Sequence, residues 1–128
     1  MTSEQIGEIA MIFLAFRDQL KIYHWQTLSY ARHKASDKIV DDITDQIDRF
    51  MEVLQGSRNL RLLLTSKSGK IKFTNQHDEN AATTLVAFRE WLTTGLPSML
   101  KPFGKDLTNI RDEMLESVNN TIYLYTLL

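Results

Sequence analysis

His33-Lys-Ala-Ser-Asp37-Lys-Ile-Val40-Asp-Asp-Ile43-Thr-Asp-Gln-Ile47-Asp48-Arg-Phe50-Met-Glu52-Val-Leu54 decides the fold. Val40, Ile43, Ile47, Phe50 and Leu54 recur at strict 3,4,3,4 spacing, the narrow apolar seam of a helix in a bundle. No strand reads this way, because strands alternate with period two. The spacing predicts a helix that starts near Ser36, or runs on from the preceding helix with a short kink around Thr27–Arg32. It ends at Gly56, or carries one or two turns further through Leu60 and Leu62–Leu64.

Outward from this seam, three more helical stretches appear. Thr2 with Gln5 fits a capping box, and Ile6, Ile9, Phe13, Phe16 and Leu20 give a first helix running to about Gln26–Tyr30. Asn80 is a cap for a third helix with Leu85, Phe88, Trp91 and Leu92 inward; Gly95 and Pro97 disturb it, and Pro102 with Gly104 closes it. Asp106 or Thr108 opens a fourth, with Leu107, Ile110, Met114, Val118, Ile122 (or Thr121) and Tyr125 as its stripe. Between them, residues 66–79 lose the helical period; Lys70–Thr74 alternates, but one such segment builds no sheet and is treated as a loop. The expected architecture is all-α: residues 1–128 as a single up-down four-helix bundle with fairly short connections.

Composition agrees. Of 128 residues, 43% are apolar and 24% charged, and five Gly and two Pro are too few for a turn-rich β-sandwich. There is no cysteine, hence no thiolate metal site or cysteine nucleophile. The longest apolar run, Ile9–Phe16, is far short of the roughly 18 residues of a membrane span. Glu4 and Glu8 precede it where a signal peptide would be basic. A cytoplasmic protein without a membrane segment is expected, in the host cytoplasm if virus-encoded. Met11, Met51, Met99 and Met114 read as core fillers, Trp25 and Trp91 as core or interface, and His77 as an exposed loop residue.

Chemistry concentrates in the second helix. His33/Asp37 and Asp48/Glu52 are both i, i+4 pairs, each on one helix face. At about 100° per residue from the core direction they fall at roughly 60°, 100°, 120° and 160°, on the flank of the buried face. Fifteen residues, roughly 22 Å of helix, separate His33 from Asp48, so one chain cannot bring the pairs to one ion. Two antiparallel copies can. The numbers 33 and 52, and 37 and 48, have the same sum, so a two-fold axis near residues 42 and 43 lays His33 beside Glu52 of a second copy and Asp37 beside its Asp48. Every contact of such an isologous interface occurs twice, giving two His/carboxylate sites of the kind that suits iron, manganese or zinc. Alternatively the acidic flank is only a solvated helix face, as Asp41, Asp42 and Asp45 beside it suggest.

His24-Trp25, His33-x3-Asp37, ten residues, then Asp48-x3-Glu52 resembles the motif of Dps, the mini-ferritin branch of the ferritin-like family. Asp106–Met114 and Ile122-Tyr-Leu-Tyr are similar to that family's last helix. The Tyr-His-Trp-Gln-Thr and Ala-Arg-His-Lys-Ala wording resembles short relatives encoded by phages and large DNA viruses. The resemblance implies a ferritin-like bundle and a ferroxidase site between subunits. His24, His33 and Asp37 would come from one chain and Asp48 and Glu52 from the other. Glu52, Asp48 and His33 would be the catalytic set, and Fe the metal, with Zn or Mn as substitutes. A homodimer through residues 33–52 follows, with a higher oligomer possible on the family pattern. His24 and His33 are nine apart, where that family usually has twelve. Two places for His24 therefore stay open: on the metal, or hydrogen-bonded beside a buried Trp25. Residues 66–79 offer no counterpart to the family's short dimer-axis helix, and there is no Lys-rich tail. The rival reading is a non-catalytic helical dimer acting as a structural or interaction module.

Residues 53–77 carry Arg58, Arg61, Lys67, Lys70 and Lys72 and no acid, yet the whole chain has net charge -1. Few phosphates can be neutralised, so duplex DNA should bind only weakly at about 150 mM salt. Fluorescence anisotropy with a labelled duplex checks this; submicromolar binding would contradict it and implicate Arg58–Lys72.

Overall fold

The computed structural model describes residues 1–127, and all of their regular structure is helical. Helix α1 (Ser3–Gln26) starts at the expected capping box: Thr2 Oγ1 accepts from the Gln5 N–H, and Gln5 Oε1 accepts from the Thr2 N–H. Helix α2 (Tyr30–Arg58) begins earlier than Ser36, because the Ser29 hydroxyl caps it by accepting from the Arg32 N–H. It passes Gly56 and stops at Arg58, where Asn59 turns left-handed (φ 52°); Leu62–Leu64 lie outside any helix. Asn residues tolerate that conformation better than most.

The third rod has three parts: α3 (Ala82–Glu90), a π turn (Trp91–Gly95) and α4 (Leu96–Met99). The π turn has a local cause. The Trp91 indole lies directly on Gly95, where a Cβ would collide with it. Asn80 caps a 3-10 turn (Asp78–Asn80) rather than α3, accepting from the His77 N–H; Ala81 is the residue before α3. Helix α5 (Lys105–Tyr125) starts after Gly104, one residue before Asp106.

The predicted stripes of α1 and α2 are buried throughout. On α5, Thr121 takes the inward position and Ile122 is half-buried. On the third rod Leu85, Phe88 and Leu92 are buried and Trp91 half-buried; Met51 and Met114 are in the core, Met11 and Met99 at its edge. An aromatic seam ties three rods: Phe13 meets Phe50 and Trp91 edge-on at 5.1 and 5.3 Å, and Phe16 stacks on Phe88 at 3.7 Å. Such pairs add to the area that they bury.

One connection is not short. At one end of the bundle the Leu63 N–H donates to the Ser3 carbonyl and Arg58 donates to the Pro102 carbonyl. At the other end Asp78 accepts from Tyr23 and Thr27. Residues 59–77 therefore travel the length of α1 as a strap. Gln19 holds it through Thr74, and Gln26 holds it through Asn75 and Gln76. α3 consequently runs antiparallel to α1 and parallel to α2, and α5 runs antiparallel to α2. The expected up-down order with fairly short connections is replaced by a four-helix bundle with one long crossover.

Gly7 is where the strap meets α1; a Cβ there would press into the Leu63 backbone carbonyl. Gly7→Ala should lower stability by about 1–2 kcal/mol, the overpacking cost outweighing the better helix propensity of Ala. A urea denaturation curve checks it; a more stable variant would show that the strap is loose there.

Candidate metal centre

The turn between α1 and α2 has only three residues, Thr27 to Ser29. It closes on itself, the Thr27 hydroxyl accepting from the Ser29 N–H. This brevity brings the last turn of α1 against the first turn of α2, so the imidazoles of His24 and His33 stack at 3.8 Å between centroids, 17° from parallel. His24 Nδ1 bonds the His33 carbonyl at 2.8 Å, and His33 Nδ1 bonds the His24 carbonyl at 2.9 Å.

A carbonyl only accepts, so both Nδ1 atoms carry a proton, and the neutral form of each ring has its lone pair on Nε2. Metal-binding histidines are oriented by this same kind of bond. Ser36, fully buried, adds to it: its hydroxyl sits 3.2 Å from His24 Nδ1 and donates to the Arg32 carbonyl at 2.8 Å. His24 is 7% exposed, and its Nε2 lies 3.9 Å from Asp37 Oδ1, beyond hydrogen-bond reach. Lys21 Nζ is 3.7 Å from the same oxygen and partly neutralises it.

Three of the five candidate ligands, His24, His33 and Asp37, are thus gathered at one corner. Asp48 and Glu52 are not: they are exposed, four and five turns along the unbroken α2. Among the described residues no group of three or more His, Cys, Asp or Glu is close enough to hold an ion within one chain. Asp48 borders a shallow cleft of about 270 Å³ between α1 and α2, floored by Leu14 and Met51. Trp25 is not buried beside His24; it is 70% exposed, with Lys21 Nζ 5.7 Å from its ring.

A second constellation supports this corner and was not visible in the sequence. Asp78, half-buried, accepts from the Tyr23 and Thr27 hydroxyls at 2.6 Å each and from the Leu28 N–H at 3.3 Å. Arg32 donates to the Tyr23 hydroxyl, to the Asp78 carbonyl and to the Tyr125 carbonyl, with its guanidinium 5.2 Å from the Tyr125 ring centroid. α1, α2, the strap and α5 are pinned together at this end. The Thr27 hydroxyl, then that of Tyr23, holds the Asp78 carboxyl below its usual range. Burial, then the bond to Asp78, pushes the Tyr23 phenol up. Partners about fifty residues apart in sequence leave no spacing signal; His77, next to Asp78, is exposed as expected.

A family model described as a family of unknown function (DUF5856) matches residues 24–125, a span that contains all five candidate ligands. No curated protein and no solved structure matches the chain. No helix of the described residues is long and apolar enough to cross a membrane.

Because its pKa is lowered by folding, Asp78 stabilises the protein above the usual carboxylate range, and that contribution is lost as pH falls below about 4. Asp78→Asn should cost about 1–2 kcal/mol at pH 7, the worth of partly solvated hydrogen bonds to a charge. Melting curves from pH 7 to 3 should show the gap to wild type narrowing at the acid end. A gap independent of pH would contradict the assignment.

Proposed function

We propose that this chain, which belongs to the DUF5856 family, is a Dps-like, ferritin-like protein that oxidises Fe(II) at a site completed by a second copy of itself. The observation that carries the reading is the reciprocal anchoring of His24 and His33 through Nδ1, which keeps both Nε2 atoms free of it, that of His24 3.9 Å from Asp37. The bundle supports it too, because a single long crossover is the connectivity of ferritin-like folds. So does the exposure of Asp48 and Glu52, which leaves them accessible to a partner.

In the antiparallel dimer, Glu52 of one chain meets His33 of the other and Asp48 meets Asp37. Leu14, half-buried, offers apolar surface beside Asp48. His24, His33 and Asp37 bind the substrate Fe(II) from one side, and Asp48 and Glu52 from the other, with Glu52 between two ions when both are bound. Imidazole suits Fe(II) and carboxylate the harder Fe(III) product. With peroxide as oxidant, two Fe(II) ions give up one electron each, the O–O bond breaks, and two protons are taken up to leave water. Dioxygen is the alternative acceptor. Detoxification needs only the dimer; storage needs a closed cage.

Without metal, Asp37, Asp48 and Glu52 face one another across the interface and repel. Metal that binds only the folded dimer stabilises it by about 2.7 kcal/mol at a hundredfold excess over Kd. Glu52→Gln keeps the size and removes one charge. It should raise the metal-free melting temperature and abolish most of the rise caused by anaerobic Fe(II), or by Zn(II) as a redox-silent substitute. Light scattering should give twice the chain mass at micromolar concentration. A monomer with no metal-induced shift would sink the ferroxidase reading; a dimer with no shift would leave the structural-module reading in its place.

A further inference from the structure

We infer that the cleft between α1 and the strap binds an aliphatic carboxylate of medium chain length, a fatty-acid anion, with its headgroup among Lys67, Lys70 and Lys72 and its chain along α1. The cleft holds about 460 Å³, within the range of about 300–1,000 Å³ usual for small-molecule sites. Its α1 wall is aliphatic, with Met11, Ile12 and Ala15, and Ile71 faces them from the strap. The three lysines stand on its border, and the lining holds a single carboxylate, Glu8. None of these lysines forms an ion pair among the described residues, so their charge is available to a ligand.

The surface extends beyond the first cleft. Ile12, Ala15 and Lys72 also border a second, mostly apolar one of about 450 Å³, which continues over Phe16 to Phe88 and Trp91 between α1 and α3. From Ile12 to Gln19, where Thr74 closes the trough, α1 rises about 10 Å, room for a chain of roughly eight to ten carbons. A nucleotide fits less well: the lysine end is walled by saturated side chains, and the aromatic rings lie at the far end. The trough is already formed, because the strap is tied at Ser3 below it and at Gln19 above it. It also lies on the flank of α1 opposite Leu14 and Arg17, which face α2, so the inference does not depend on metal binding or on the dimer.

The test is calorimetric titration of the full chain with hexanoate, octanoate and decanoate below their micelle concentrations. Octan-1-ol, octylammonium and inorganic phosphate are the controls. Each methylene buried should tighten binding about fourfold, so roughly fifteenfold per two carbons. Octanoate should bind at least tenfold tighter than octanol, and octylammonium and phosphate should not compete. Replacing Lys67, Lys70 and Lys72 together by Gln should weaken decanoate at least tenfold without moving the melting temperature. Ala15→Trp, which fills the cleft, should abolish binding; if that variant does not fold, the lysine variant and the chain-length series still decide. No binding of decanoate, affinity independent of chain length, octanol equal to octanoate, or phosphate as tight as decanoate would each overturn the inference. So would binding only to anionic phosphatidylglycerol vesicles, which would make the strap a membrane contact.

Discussion

The brevity of the Thr27–Ser29 turn is the constraint on which the His24–His33 corner depends. Three residues leave no slack between α1 and α2, so the helices meet at their joined ends and the imidazoles of His24 and His33 are forced face to face. Each ring then satisfies a carbonyl of the other residue, one from the last turn of α1, where carbonyls lack helical partners. The same bonds cap the helix, fix the tautomers and aim the Nε2 atoms. Arg32 and Asp78 clamp the outer side of the turn, and Ser36 fills the inner side. Loss of this brace would free His24 before it disturbed the rest of α1, whose burial is supplied by the aromatic seam.

On the proposed reading, one chain holds half a site. Two imidazoles and one carboxylate are gathered; two more carboxylates stand exposed along the same straight helix. Under the proposed function, such separation would have a simple physical advantage. Carboxylates kept in water while the chain is alone carry no desolvation cost; brought to a symmetric interface they would become strong ligands. Assembly and metal binding would therefore be linked, each favouring the other. Lys21, close to Asp37, is the counter-charge that an incoming cation would have to displace.

What was legible in the sequence follows from the range of the interactions. The 3,4 stripes of α1 and α2 report burial directly, and every one of their ten positions is in the core. The Thr2–Gln5 box is local and was readable as such. Ser29 as a cap is not legible because the apolar period of α2 is clear only after Ser36; in the first two turns of that helix only the small Ala35 and Ser36 are buried. The π turn rests on Trp91 against Gly95, a local contact that apolar periodicity does not mark, and the strap depends on contacts across the fold, such as Gln19 with Thr74, which no window of sequence displays. For the candidate site, periodicity found the His33, Asp37, Asp48 and Glu52 faces. The place of His24 could not be read, because it turned on the length of a turn whose ends were set two or more residues too loosely. Of the two places expected for Trp25, core or interface, the core is excluded, since Trp25 is 70% exposed in the single chain.

Subunit complementation tests the central claim of a shared site most directly. Two variants are made, His33→Ala and Glu52→Ala, each expected to bind little Zn(II) at the site and to oxidise Fe(II) slowly. Mixed in equal amounts and allowed to exchange subunits, they should regain about a quarter of the wild-type sites, because half of the dimers are then mixed and each mixed dimer rebuilds one intact site of two. A mixture no better than its two components would contradict a site built from both chains.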